Sequence, residues 1–156
     1  MPSAATTTTK KDFGAPPTST SVDSAVRSVT DAEAGFILLI EDDFMLRGSL
    51  AAVLAAEGYR VECEANALDA LRRLERPPKP SLILLDIMLP YMDGLEFRAL
   101  QKNRGRLADI PVIVITAVGI RREIAEDLDL LQAFSKPLDR PRLLAAIRGH
   151  CPPRVS

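Results

Sequence analysis

Three short runs made only of apolar residues, each ending in a polar one, constrain this chain more than any other feature. Phe36-Ile37-Leu38-Leu39-Ile40 runs into Glu41-Asp42-Asp43, Leu82-Ile83-Leu84-Leu85 into Asp86, and Pro111-Val112-Ile113-Val114-Ile115 into Thr116. Runs of this length without polar alternation are the mark of a strand covered on both faces. Between them the pattern changes to helical spacing. Leu46, Leu50, Val53 and Leu54 precede Gly58, a helix stop, and Leu68, Leu71 and Leu74 lie between the capping residue Asn66 and the break at Pro77-Pro78. Tyr59–Cys63 reads as a weaker strand. Pro90–Gly94 reads as a loop with a helix after it to about Lys102, followed later by a helix near Arg121–Leu130 and a weak strand over Leu131–Ser135. Asp139 caps a last helix with Leu143, Leu144 and Ile147 inward and Gly149 at its end. Five βα units in series imply an α/β fold, a parallel sheet with helices on both faces joined by right-handed crossovers.

Composition narrows what such a fold can do. Lys+Arg is 20 and Asp+Glu is 21, so no basic excess marks the chain as a nucleic-acid binder. The only histidine is His150, which removes histidine triads and multi-histidine metal sites from the body of the chain. Cys63 and Cys151 form neither a disulfide framework nor a zinc motif; Cys63 is expected at a strand edge or in the core, and Cys151 exposed near the end. No apolar run is long enough to span a bilayer and no signal-peptide pattern opens the chain, so a cytoplasmic setting is expected, with no membrane partner. Residues 1–35 hold twelve Ser or Thr and three prolines, too little apolar surface to offset the entropy of ordering. They read as a disordered tail with a transient helix around Asp23–Ala34, ahead of one domain at 36–150 and a short tail at 151–156.

In open α/β sheets, ligands bind where the strands end at their carboxyl side. The first strand delivers Glu41, Asp42 and Asp43 to that rim, the third Asp86, the fourth Thr116, and the fifth Lys136 followed by Pro137. Carboxylates crowded at one edge repel one another unless a cation compensates. An all-oxygen donor set favours a hard ion, and Mg2+ fits best. A carboxylate is a competent nucleophile toward phosphorus, and phosphoryl transfer asks the protein mainly for positioning and charge neutralisation. Asp86 could attack, Glu41 and Asp42 could hold the metal, Lys136 could pair with the phosphoryl group and Thr116 could hydrogen-bond one of its oxygens. Asp43, directly before Phe44, reads instead as the cap of the first helix.

The stretches Ile37–Asp43, Leu84–Pro90 with Met92-Asp93-Gly94, Pro111–Ala117 and Ser135-Lys136-Pro137 together resemble the receiver domain of two-component response regulators. One such motif is commonplace; four in order, each at a strand end, are not. The resemblance spans about Phe36 to Gly149 and implies the flavodoxin-like doubly wound sheet with strand order 2-1-3-4-5. It implies that Asp86 is the phosphoacceptor, Glu41 and Asp42 the magnesium acids, the backbone carbonyl of Met88 a further metal ligand, Thr116 the switch hydroxyl and Lys136 the phosphate-binding lysine. It further implies a cis proline at Pro137.

Two departures stand out. The switch aromatic of the family belongs three residues before the lysine, where this chain has Ala133, with Phe134 beside it. The stretch from Thr116 to Lys136 is also short, and it lacks the small-residue turn that commonly precedes strand five, having Asp127-Leu128-Asp129-Leu130-Leu131. Met88 and Val118, flanking the phosphoryl position, are both apolar and unable to orient water, which implies slow self-dephosphorylation. With only seven residues after Gly149, the expected function is that of a single-domain response regulator. It would be phosphorylated by a histidine kinase or a histidine phosphotransfer protein and signal to a downstream target protein or through a phosphorelay, as a signalling protein and not an enzyme, catalysing only its own phosphoryl transfer and slow dephosphorylation. The competing readings are a receiver-shaped scaffold that is never phosphorylated and an Asp-nucleophile phosphatase. The latter needs a second Asp where Met88 stands.

Overall fold

A computed structural model of the chain describes residues 35–154. The expected tail at 1–35 therefore lies outside the described residues, except for Gly35. The element order is β1 (Ile37–Ile40), α1 (Phe44–Ala56), β2 (Val61–Glu64), α2 (Ala67–Glu75), β3 (Leu82–Asp86), α3 (Gly94–Lys102), a 3-10 turn (Gly105–Asp109), β4 (Val112–Thr116), α4 (Arg122–Asp127), β5 (Gln132–Ser135) and α5 (Arg140–His150). The five strands form one sheet in the order β2-β1-β3-β4-β5, every pair parallel. The alternating pattern called for a parallel sheet, and the doubly wound strand order is the one the resemblance implies.

Because side chains alternate along a strand, the continuous apolar runs feed two separate layers. Leu38, Ile40, Ile83, Leu85, Val112 and Val114 face α2 and α3, packing with Ala70, Leu74 and Phe97. Ile37, Leu39, Leu82, Leu84, Ile113 and Ile115 face α1 and α5, packing with Leu50, Leu54, Leu143 and Ile147. The three central strands are buried throughout. Truncating a residue such as Leu85 to Ala at a site like this costs about 2–5 kcal/mol.

Within α2 the buried face is made by Ala67, Ala70, Leu71 and Leu74, while Leu68 is exposed. Two expectations need correction. Gly149 does not stop the last helix, which runs on to His150. Cys151 is buried rather than exposed: its amide donates to Ile147 O at 2.7 Å, and Arg154 N donates to Gly58 O at 3.2 Å, folding residues 151–154 back against the α1–β2 turn. Cys63, on the outer strand β2, is exposed.

Candidate phosphoacceptor site

The parallel register brings the strand ends level. Ile40 pairs with Leu85, Asp86 with Ile115, and Thr116 with Ser135, so the residue after each strand emerges at one rim. Asp86 is 1% exposed and Glu41 fully buried. Between them stands Lys136, whose Nζ donates to Glu41 Oε2 at 2.9 Å and to Asp86 Oδ2 at 3.1 Å. The lysine is carried there from the end of β5, its backbone N donating to Thr116 O at 2.9 Å, and the following Lys136–Pro137 peptide bond is cis.

The remaining acceptors are committed to backbone. Glu41 Oε1 accepts from Asp43 N at 3.1 Å and Asp86 Oδ1 from Met88 N at 3.0 Å. Burial is the main cause that pushes the Glu41 carboxyl up to about 7; the nearby Asp86 charge adds to the rise, and the hydrogen bonds from Lys136 and Asp43 oppose it. Lys136 is held above the usual lysine range: burial lowers it, and its hydrogen bonds to Glu41 and Asp86 outweigh that.

Asp43 is the cap of α1, its Oδ1 accepting from Met45 N at 2.9 Å and Leu46 N at 3.0 Å. That leaves Asp42 free to turn to the site, and Glu41, Asp42 and Asp86 each offer a carboxylate oxygen within 4.8 Å of the others. These donors suit a hard divalent ion: three carboxylates gathered in one place, two of them buried, with a single lysine among them. Thr116 stands at the same rim, buried, with its Oγ1 accepting from Val118 N at 3.1 Å rather than touching the acids. Sequence reasoning missed Arg47, one helical turn into α1, whose Nη1 donates to Glu41 O at 2.7 Å and to Asp42 O at 3.3 Å and so fixes the loop that carries both acids. A lone arginine in a helix of apolar and small residues gives no sequence signal for such a role.

Gly94 supplies a second constraint. A Cβ there would collide with the backbone carbonyl oxygen of Asp86 and come within 2.8 Å of Ile87 Cα. Only a glycine lets the start of α3 close on the end of β3, an approach sealed by Gly94 N donating to Ile87 O at 2.9 Å. The neighbouring Asp93 caps α3 in a reciprocal box with Glu96.

At the switch position, Ala133 pairs with Val114 and is exposed, while Phe134 pairs with Ile115 and is buried among the α1 and α5 side chains. Phe134 thus points to the opposite face of the sheet and does not replace the missing aromatic.

A doubly wound parallel sheet in this order defines a flavodoxin-like α/β protein, here with an acidic rim and a lysine delivered from its last strand. Residues 37–148 match the response regulator receiver domain family, and the chain belongs to that family. Its relatives include the transcriptional regulatory protein CpxR homolog of Haemophilus influenzae, 35% identical over 115 residues. Another is sporulation initiation phosphotransferase F of Bacillus subtilis, 35% identical over 118 residues. The aligned region takes in 72% and 74% of this chain, and 48% and 93% of those relatives respectively. The chain thus spans about half the length of the CpxR homolog and nearly all of the phosphotransferase. Among solved structures, the chemotaxis protein CheY4 of Vibrio cholerae shares the fold, with a TM-score of 0.68 at 20% identity over 74% of this chain and 98% of that one. A CheY-like receiver domain protein from Methanospirillum hungatei aligns with a TM-score of 0.66 at 28% identity, over 74% of this chain and 91% of that one. The family is one of signalling domains in two-component systems, phosphorylated on an aspartate. Among the described residues no helix is long and apolar enough to cross a membrane.

Proposed function

We propose that this chain is a phosphorylation-controlled response regulator in which Asp86 accepts a phosphoryl group from a phosphohistidine of a histidine kinase or histidine phosphotransfer protein. The observation that carries the reading is the Lys136 ammonium bridging buried Glu41 and Asp86. It holds an otherwise costly pair of acids at one point, with Asp86 at the centre.

In the reaction, an Asp86 carboxylate oxygen forms a bond to phosphorus as the phosphorus–nitrogen bond to the donor imidazole breaks. The leaving imidazole takes up a proton. Glu41, Asp42 and Asp86, with the Met88 carbonyl, would hold a Mg2+ ion, which when bound supplies neutralisation of the negative oxygens on the transferring group. Lys136 already donates to Asp86 and is placed to pair with an oxygen of the new acyl phosphate. The Thr116 hydroxyl, released from Val118 N, would donate to another, so that the Thr116–Val118 turn registers the modification. Ala133 leaves no aromatic to follow that movement, so the output change in this chain runs through the β4–α4 loop rather than a rotating ring. The phosphorylated protein acts on a downstream target protein or passes the group along a relay, without a nucleic-acid partner for this domain, in the cytoplasm.

A small phosphodonor with Mg2+ tests this reading, with the wild-type chain compared with Asp86→Asn. Acid-labile, hydroxylamine-sensitive phosphate on the wild type alone supports it. Phosphate retained by Asp86→Asn, or no phosphate on either protein, contradicts it.

A further inference from the structure

The helix that follows the Thr116 loop is held in an unusual way. α4 has six residues, none of them buried, and its first turn has no side-chain cap. Apolar contact with the core comes from its flanks, Ile120 and Leu130, which are only partly buried. Its C-terminal end, in contrast, is gripped by α3. Arg98, 3% exposed, donates from Nε to Leu128 O at 2.8 Å and from Nη2 to Asp129 O at 3.2 Å. Lys102 Nζ donates to Asp127 O at 2.7 Å and pairs with Asp129 Oδ2 at 2.8 Å. The Arg98 side chain is itself fixed from behind: Nη1 donates to Gln101 Oε1 at 2.9 Å and to Ile110 O at 3.3 Å. The fully buried Gln101 amide donates to Leu107 O at 2.8 Å and Ile110 O at 3.1 Å.

The gripped end is also where the backbone is strained. Leu130 N donates to Ala125 O and Asp129 N to Glu126 O, the paired bonds of a Schellman ending, with Asp129 at φ +48° in the left-handed position that glycine normally fills. An aspartate there costs conformational energy that a glycine would not. The carbonyls it turns outward are the free acceptors at the negative end of the helix, and both α3 cations sit on them. Burial lowers the Arg98 guanidinium from its usual range, with Asp129 opposing, so its charge needs those carbonyls as much as they need it.

We infer that Arg98 and Lys102 form a latch on the Asp129 turn, and that this latch, more than apolar packing, keeps α4 docked and makes its C-terminal end the fixed pivot of the segment after Thr116. The N-terminal end of α4, uncapped and reached through the exposed Val118-Gly119 stretch, is the end free to swing. The latch does not depend on the Asp86 reading, since it is measured in the unmodified protein.

Amide hydrogen exchange on the full chain, with Lys102→Ala, Asp129→Asn and Arg98→Leu, tests the latch. Asn tolerates the left-handed position and keeps the turn while removing the charge. Each of the first two variants is expected to speed exchange over residues 122–131 about tenfold and to leave β1 and β3 within twofold of wild type. Their combination should add little beyond Lys102→Ala alone, because that variant already removes both the ion pair to Asp129 and the bond to Asp127 O. Arg98→Leu, if it folds, should exceed both in the same segment. Unchanged exchange over 122–131 in Lys102→Ala and Asp129→Asn overturns the latch. So does an equal rise across all strands, which makes these residues general contributors to stability.

Discussion

Lys136 Nζ stands 3.1 Å from Asp86 Oδ2, while the same nitrogen holds the fully buried Glu41 at 2.9 Å. One cation thus compensates two acids that water scarcely reaches. Removing it with Lys136→Ala leaves two adjacent carboxylates without a partner. The expected loss is about 1–3 kcal/mol in metal-free buffer, toward the low end of buried-pair values because the lysine itself keeps some solvent contact. Millimolar Mg2+ should recover part of it. Urea unfolding with and without chelator checks this; equal loss in both conditions would show that the acids hold no ion.

Asp86→Asn relieves repulsion within the same group while keeping the side-chain shape. Folding stability without Mg2+ should rise, because Lys136 then faces a single buried acid. A fall in the thermal midpoint would mean that the Lys136 contact outweighs the Glu41–Asp86 repulsion.

Gly94→Ala drives a methyl group into the Asp86 carbonyl and Ile87. Backbone cannot yield as a flexible side chain does, so a cost of about 1–3 kcal/mol is expected. The displaced β3 end should also slow phosphoryl labelling at least tenfold. A variant as stable and as reactive as wild type would show that α3 can move away freely.

Met88 and Val118 are 57% and 44% exposed, flank the rim and carry no group able to orient water. The aspartyl phosphate should therefore persist for many minutes or longer, and Met88→Asn should shorten it several-fold. Decay within seconds without a phosphatase contradicts this.

At the far edge of the sheet, Glu62 accepts from the guanidiniums of Arg73 and Arg60, and Arg73 lies 4.6 Å from the centroid of the Phe36 ring. The Arg73 hydrogen bond, opposed by partial burial, holds the Glu62 carboxyl below its usual value of 4.5. A folded-state value below the unfolded one stabilises the protein above pH 4.5, and the gain is lost as pH falls through the depressed value. Glu62→Gln should lower stability by about 1 kcal/mol at neutral pH and less in acid. Identical differences at pH 7 and in strong acid would show that Glu62 titrates alike in both states.

What could be read from the sequence follows from burial. β1, β3 and β4 are covered on both faces, so their residues are apolar without a break, and the polar residue that ends each one marks the rim. β5 has only Phe134 buried, and the apolar Leu131 puts its expected start one residue ahead of the observed one at Gln132. α4 was expected to continue to Leu130 and stops at Asp127, because the left-handed residue that ends it is Asp129 and not the glycine that signals such an ending. Arg98 and Gln101 give no signal for a related reason: in sequence they resemble a solvated helix face, and apart from each other their partners are main-chain carbonyls, which have no side-chain signature. Asp43 and Asn66, in contrast, cap their helices as read, since capping is decided within three residues.

The most direct test is site-resolved phosphoryl labelling of the intact chain with a small phosphodonor, with and without Mg2+. The arrangement of Glu41, Asp42, Asp86 and Lys136 predicts one phosphoryl group per chain, on Asp86, formed only with the ion present. Label on any other residue, or label at Asp86 that is indifferent to Mg2+, would contradict it.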